Sequence, residues 1–478
     1  VLAKPAVLAK PAVLAQPAAT PWEADMDATP AAPLRRVLVA NRGEIAVRVI
    51  RACHLVGAEA VAVYSEADAG AAHVRKADDA RLIGPPQAAK SYLDIDALIG
   101  AATDAGADAV HPGYGFLSEN AAFAQAVTSA GLTFVGPPAA AIAAMGDKAR
   151  ARVLAQEAGV PLVPGSGLVA TVDEAVAAAD RIGYPVLVKA AAGGGGRGIR
   201  PAADEAELRS VLPAAQREAA ASFGSDAVYV ERSLSRARHI EVQVLADAHG
   251  SVVHCYEREC SLQRRRQKLF EEAPAPRLSP GLRDRMTAAA VRLAGQVGYA
   301  SAGTVEFLVD GDDFYFMEMN TRIQVEHPVT ELVTGLDLVA EQLRVAAGQP
   351  LSVRQEDIAV RGHAVECRIN AEDPDKKFMP RPGTVTSLEL PGGPGIRIDH
   401  ALSAGTVIPP FYDSLVAKLC AWAPSRTGAL ARAGQALAEL ETGGLTTTAS
   451  LHRRLLRVPD VLSGDYHTSW LEEFLAGS

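Results

Sequence analysis

The stretch that most constrains this chain is Val305–Val329, VEFLVDGDDFYFMEMNTRIQVEHPV. Two apolar runs, Val305–Val309 and Phe314–Met319, flank Asp310-Gly311-Asp312-Asp313. Asp-Gly between such runs predicts a β-hairpin, because glycine supplies the positive φ that a tight turn needs. Folding about Asp312 sets Glu306 opposite Glu318, and period-two alternation lets both carboxylates share one face. Directly opposed carboxylates repel unless a cation lies between them. Hard oxygens suit Mg²⁺ or Mn²⁺, and Asn320 stands two residues on, on the same face. Arg322, Gln324 and Glu326 then follow at every second position. In an extended segment they point one way, while Thr321, Ile323 and Val325 point the other. A guanidinium, an amide and a carboxylate beside a metal site can hold a small oxyanion and take a proton from it. The competing reading, a solvated strand face, sits badly with Pro328 and the apolar neighbours.

A chain of 478 residues exceeds one ordinary core, so two to four domains are expected. The net charge of −9 argues against nucleic acid or a membrane surface as the main partner. Cys53, Cys255, Cys260, Cys367 and Cys420 are scattered without a Cys-x-x-Cys. That argues against a disulfide framework or a zinc site and points to a reducing, cytoplasmic setting. No apolar run approaches the roughly 18 residues of a membrane span. Residues 1–33 carry VLAKPA twice and then VLAQPA. Such proline-bearing units build no core and predict a disordered or polyproline-like tail.

From Arg36 to Gly136 strand and helix patterns alternate, which predicts a parallel sheet. Asn41-Arg42-Gly43 and His111–Phe116 fall at carboxyl ends of strands, where such sheets bind ligands. Lys148 opens a helix after Gly146-Asp147. A strand over Tyr184–Lys189 ends in lysine and runs into Gly193, Gly194, Gly195, Gly196 and Gly198. Gly193, Gly195 and Gly198 match G-x-G-x-x-G, but Pro201 follows where a helix should start, and no Gly-Lys-Ser/Thr is present. A glycine turn between two short strands fits better. Its bare N–H groups can close over phosphates, and Lys189 beside it favours that over a plain surface turn. Glu231, near the end of a strand over Val228–Leu234, can accept from an adenine amino group or sit as a rim carboxylate. His239, Glu241 and Gln243 lie on a strand over Arg238–Ala246, where a lone histidine is more often structural. Arg264, Arg265, Arg266 and Lys268 cluster in an otherwise acidic chain and predict an anion-binding segment. Thr330–Ala347 reads as one helix, Arg361–Ile369 as an alternating strand, and Phe411–Trp422 as a buried strand that includes Asp413.

Nine motifs stand in order: NRGEIAVRVIRAC, HPGYGFLSEN, MGDK, GGGGRG, RHIEVQVLAD, EEAPAP, EMNTRIQVEHPVTE, RGHAVECRINAEDP and PPFYDSL. Together they resemble biotin carboxylase, the ATP-grasp component of acyl-CoA carboxylases, from about Arg35 to Leu475. The resemblance implies a multidomain α/β and α+β chain with a Rossmann-like N-terminal domain over about 34–145. A central ATP-grasp unit over 146–350 would carry a mobile lid at about 162–234, and a biotin carboxylase C-terminal domain would cover 361–475. The implied reaction joins bicarbonate to carrier-linked biotin with ATP and two Mg²⁺ or Mn²⁺ ions. The implied partners are a biotin carboxyl carrier protein and a carboxyltransferase on other chains, and a second copy in a homodimer.

By the same resemblance, Lys148, Lys189 and Gly193–Gly198 grip the nucleotide phosphates. Glu231, the Leu234 backbone, His239 and Gln263 meet the adenosine side. Glu306, Glu318 and Asn320 ligate metal. Lys268, Arg322, Gln324 and Val325 cradle bicarbonate, and Glu326 is its base. Arg368 stabilises the biotin enolate, with Tyr114 and Asp413 in the biotin surroundings. The sequence departs from the family pattern at Arg266, where His is expected, at Arg232, where Lys is common, and at Ala191-Ala192, which shortens the glycine run. No Met-Lys-Met biotin-attachment motif occurs, so the carrier is expected outside this sequence. Two other readings compete: a different ATP-grasp ligase using an acyl or carboxy phosphate, and a nucleotide-binding scaffold without activity.

Overall fold

The computed structural model describes residues 33–191, 198–234 and 236–477. The proline-bearing repeats of residues 1–32 and the glycines at 193–196 lie outside the described residues. Near the N-terminus five parallel strands pair in the order Asp79–Gly84, Glu59–Ser65, Arg36–Val39, Ala109–His111, Thr133–Phe134. The order reverses between Arg36–Val39 and Ala109–His111, as in doubly wound nucleotide-binding sheets. Helix Gly43–Leu55 buries Ile45, Val49, Ile50 and Cys53 at the predicted helical spacing. The two loops at the reversal are locked together. Asn41 donates through Nδ2 to the carbonyls of Pro112 and Tyr114, each at 2.8 Å. A Cβ on Gly113 (φ 64°) would stand 2.9 Å from Asn41 Nδ2, so only glycine allows this approach.

A separate four-stranded sheet, Gly165–Val169, Val228–Arg232, Val186–Ala190 and Ile199–Ala202, carries helices Val172–Ile182 and Glu205–Phe223. Strands Val186–Ala190 and Ile199–Ala202 are antiparallel neighbours on either side of the glycine-rich segment. Val176, Val188, Leu208, Leu212 and Val230 form a core cluster of their own in this unit. A unit with its own core can move as a body.

The largest sheet has eight antiparallel strands. Their order is Asp313–Asn320, Ser301–Asp310, Arg238–Ala246, Val252–Arg264, Gln267–Ala273, His363–Asn370, Leu415–Ala423, Ile396–His400. It crosses the expected boundary between 350 and 361. Leu262, Leu269 and Phe270 bury with Val365, Leu419 and Leu437 in one core. The two chain segments therefore share a sheet. Cross-strand register makes polar rows on one face: Glu318, Glu306, Glu241 and Arg258 are successive partners. Glu271, Glu366, Cys420 and Arg397 form a second row.

Two element expectations need correction. Thr330–Ala347 is two helices, His327–Thr334 and Leu338–Ala346, because Gly335 (φ 80°) ends the first in the left-handed region and Asp337 caps the second. The C-terminal strand starts at Leu415, and Phe411 and Asp413 stay exposed before it. The basic run is a hairpin turn in which Arg265 (φ 48°) and Arg266 (φ 66°) both take positive φ. All five cysteines are buried and free. No helix among the described residues is long and apolar enough to cross a membrane.

Candidate active site

The Asp-Gly hairpin forms, with Glu306 directly opposite Glu318 and Thr304 opposite Asn320. A bulge at Met317 lies between the Glu306 and Phe307 pairings, and such bulges re-aim side chains near functional sites. Asn320 Nδ2 donates to Glu306 Oε1 at 2.8 Å. Glu318 keeps solvent access at the mouth of this group, while partial burial of its carboxyl and the Glu306 charge raise it. Two facing carboxylates and an amide oxygen fit a hard divalent cation. Donor atoms of His239, Glu241 and Glu306 also lie within 4.8 Å of one another, but there an ammonium already neutralises the acids.

That ammonium is Lys268. Its Nζ donates to Glu241 Oε2 at 2.6 Å, Glu306 Oε1 at 2.9 Å, Gln324 Oε1 at 3.1 Å and Glu326 Oε1 at 2.6 Å. Of the four basic residues in the run, only Lys268 enters the site. Arg264 stacks 4.2 Å from the Phe378 ring centroid, and Arg265 and Arg266 stay exposed in the turn. Glu326 is not the last residue of an extended segment. At φ −80°, ψ 9° it is the N-cap of helix His327–Thr334. This turn brings Glu326 back toward Lys268, and its other oxygen accepts from Arg368 Nη2 at 2.9 Å. Burial opposes ionisation of Glu326, but Lys268, Arg368 and Arg258 outweigh it and hold the carboxyl well below its ordinary range. Gln324 Nε2 donates to Glu306 Oε1 at 2.9 Å, so Gln324, Glu326 and Glu306 are joined through Lys268 in one connected group.

Several members escaped the sequence reading. Arg258, fully buried, donates to Glu241 Oε1 at 2.6 Å and Gln243 Oε1 at 2.8 Å. Glu119 accepts from Arg322 Nε at 2.9 Å and from the Thr321 amide at 3.1 Å. Arg322 also reaches Asn320 Oδ1 at 3.0 Å. Lys418 donates to the Val325 carbonyl at 2.9 Å and lies 3.2 Å from Glu44 Oε2. Glu44 and Glu119 stand inside two of the ordered motifs, which was their only signal. Arg258 and Lys418 fall outside those motifs, and nothing in the local pattern marked them. Tyr114 hydrogen-bonds Glu44, which places it at this inner network. Asp413 is exposed and, among the described residues, accepts only from the nearby Leu415 amide, at 2.8 Å, with no bond to the group around Glu326.

On the four-stranded sheet, Lys189 pairs with Glu231, and Arg152 Nη1 reaches Glu231 Oε1 at 2.9 Å. Glu231 is thus buried between two cations. Lys148 is the first residue of helix Lys148–Glu157, and its charge acts on Glu318. Gly198 (φ 72°) closes the strand pair, its carbonyl accepting from the Ala190 amide at 2.9 Å. Leu234 is half-buried just beyond Arg232, which is exposed. Gln263 is buried opposite Lys268. His239, expected at the adenosine, lies against Glu306, with Nε2 3.0 Å from Oε2. The pairing of Arg238–Ala246 with the Glu306 strand puts it there.

Three family models cover nearly all of this architecture. Residues 33–142 match the biotin carboxylase N-terminal domain. Residues 147–354 match the ATP-binding domain of the carbamoyl-phosphate synthase L chain, and residues 366–473 the biotin carboxylase C-terminal domain. Biotin carboxylase 1 of Bacillus subtilis is 52% identical over 444 residues, covering 92% of this chain and 99% of that protein. The biotin carboxylase of Pseudomonas aeruginosa is 51% identical over 444 residues, covering 92% and 99%. A crystal structure of the biotin carboxylase domain dimer of Hydrogenobacter thermophilus 2-oxoglutarate carboxylase, with MgADP, ADP and bicarbonate, has TM-score 0.86 and 49% identity over 92% of this chain and 98% of that one. The middle model alone would leave a carbamoyl-phosphate-type ligase open; the flanking two exclude it. With its acids, amide and guanidinium gathered around Lys268 and its whole length matched, the chain belongs to the biotin carboxylase family of ATP-dependent ligases.

Proposed function

We propose that this chain carboxylates carrier-linked biotin through carboxyphosphate, as the first half-reaction of an acyl-CoA or related carboxylase. The observation that carries this reading is Glu326, held between Lys268 Nζ at 2.6 Å and Arg368 Nη2 at 2.9 Å. Lys268, Arg322, Gln324 and the Val325 backbone form the bicarbonate cradle. Lys268 exchanges one of its carboxylate contacts for the incoming anion. Glu326, kept ionised by its cations, accepts the bicarbonate proton. The bicarbonate oxygen attacks the γ-phosphoryl group of ATP and ADP leaves, giving carboxyphosphate. Its C–O bond breaks to CO₂ and phosphate, and the phosphate takes the proton of biotin N1. Arg368 stabilises the enolate, which attacks CO₂.

Lys148, Lys189 and Gly193–Gly198 would grip the phosphates, and Glu231, Leu234 and Gln263 the adenosine. Lys189 and Arg152 leave Glu231 when the nucleotide enters. His239, beside Glu306, belongs at the phosphate end. Glu306, Glu318 and Asn320 would hold Mg²⁺ or Mn²⁺, which supplies charge neutralisation for the phosphates. Tyr114 lines the biotin side through Glu44, while Asp413 reaches biotin only from the exposed rim. The carrier and carboxyltransferase are other chains, and a homodimer is the working assembly, in a cytoplasmic setting.

The test is bicarbonate-dependent ATP hydrolysis with free biotin. Glu326→Gln should lower it by about 10²–10⁴-fold, the usual contribution of a general base, with the far-UV spectrum unchanged. Undiminished turnover would remove Glu326 from the reaction.

A further inference from the structure

Two fully buried carboxyl oxygens behind Arg368, Glu271 Oε2 and Glu366 Oε1, have no hydrogen-bond donor. Their residues are direct cross-strand partners, Glu271 on Gln267–Ala273 and Glu366 on His363–Asn370. Such partners project from one face with Cβ atoms about 4.5–5.5 Å apart. Their other oxygens are already used. Glu271 Oε1 accepts from Arg368 Nε at 2.5 Å, and Glu366 Oε2 from Cys420 Sγ at 3.4 Å.

Two adjacent buried carboxylates cannot both stay ionised, and one proton between them gives each orphan oxygen a partner. We propose that Glu271 and Glu366 share one proton at neutral pH, bridging Glu271 Oε2 and Glu366 Oε1, and so present a single negative charge to Arg368.

The surroundings agree. Arg368, Lys268 and Glu326 face Glu271, and burial with the Glu326 charge brings its carboxyl to about 7. Lys418, Arg368, Glu271 and Glu326 face Glu366, where burial again raises the carboxyl. Cys260, Cys367 and Cys420 lie in the same field as neutral thiols, each pushed up by burial. Tyr114, also neutral, feels Glu366. Without the shared proton, Arg368 would face three carboxylate charges, on Glu271, Glu366 and Glu326; with it, the guanidinium faces two, which leaves more of its field for an anion on its open side. That consequence rests on the reaction proposed above; the shared proton concerns the resting protein alone. Glu366 is accordingly a positioning residue acting through Glu271.

Infrared difference spectra of the full chain at pH 7, in H₂O and D₂O, test this directly. The wild-type minus Glu366→Gln spectrum should contain one deuterium-sensitive carboxylic-acid C=O band. Glu271→Gln should remove the same band, because either amide N–H₂ donates to the remaining carboxylate and leaves it ionised. Circular dichroism verifies folding, and if one variant fails to fold the other carries the same readout. Absence of the band from wild type, or its survival in either folded variant, overturns the shared proton. A band present in wild type and lost in both variants, with no biotin-dependent turnover by wild type, would leave the pair standing and sink the reaction instead.

Discussion

Replacing Lys268 by Met tests the centre of the site. Breaking one partner of a buried ion pair costs about 3–5 kcal/mol. Lys268 serves three carboxylates, but each retains another donor. Glu241 keeps Arg258 Nε at 2.6 Å, Glu326 keeps Arg368 Nη2 at 2.9 Å, and Glu306 keeps Asn320 and Gln324 at 2.8 and 2.9 Å. The lower end, about 3 kcal/mol, is therefore expected at pH 7. The pH dependence follows from Glu326. Its folded carboxyl lies below the ordinary range, with Lys268 the largest of the forces lowering it. A depressed folded value contributes stability above the unfolded value of about 4.3 that is lost as pH falls through the folded value. The wild-type advantage over Lys268→Met should thus be flat above about pH 5 and shrink below about pH 4. Urea unfolding of both proteins, from about pH 3 to about pH 8, spans that window. The acid limb of turnover should also move upward in the variant, because Glu326 loses its nearest cation. A cost below about 1 kcal/mol at pH 7, or one that stays constant as the carboxylates protonate, would refute the hub.

Two further substitutions probe residues to which the sequence reading gave no role. Glu119→Gln removes the charge facing Arg322 Nε at 2.9 Å; at a partly exposed pair this is worth about 1 kcal/mol, so the KM for bicarbonate should rise roughly fivefold with little change in unfolding midpoint. Lys418→Met leaves the Val325 carbonyl, Glu44 and Asp399 without a fully buried ammonium that lies 2.9, 3.2 and 3.8 Å from them. A stability loss of about 3–5 kcal/mol is expected in urea unfolding, with reduced turnover because Val325 precedes Glu326, the proposed base.

The Asp-Gly hairpin was legible because turn chemistry and period-two alternation are local, so Glu306 and Glu318 could be paired by counting. The parallel N-terminal sheet and the strand pair around the glycine run were readable for the same reason, and the nine ordered motifs supplied the family. Tertiary structure alone decided how Glu326 is used. An extended reading aimed it by alternation, whereas the turn into helix His327–Thr334 swings it to Lys268. Packing decided which arginines matter: buried Arg258 neutralises Glu241, while Arg265 and Arg266 turn a hairpin in solvent. The Glu119, Lys418 and Glu366 contacts join residues 203, 93 and 54 positions from their partners. Sequence periodicity reports which face a side chain takes within one element. Which distant charge comes to meet it is set by strand register across the large sheet and by how the loops bearing Glu119 and Val325 pack beside it, and no local pattern encodes that sum.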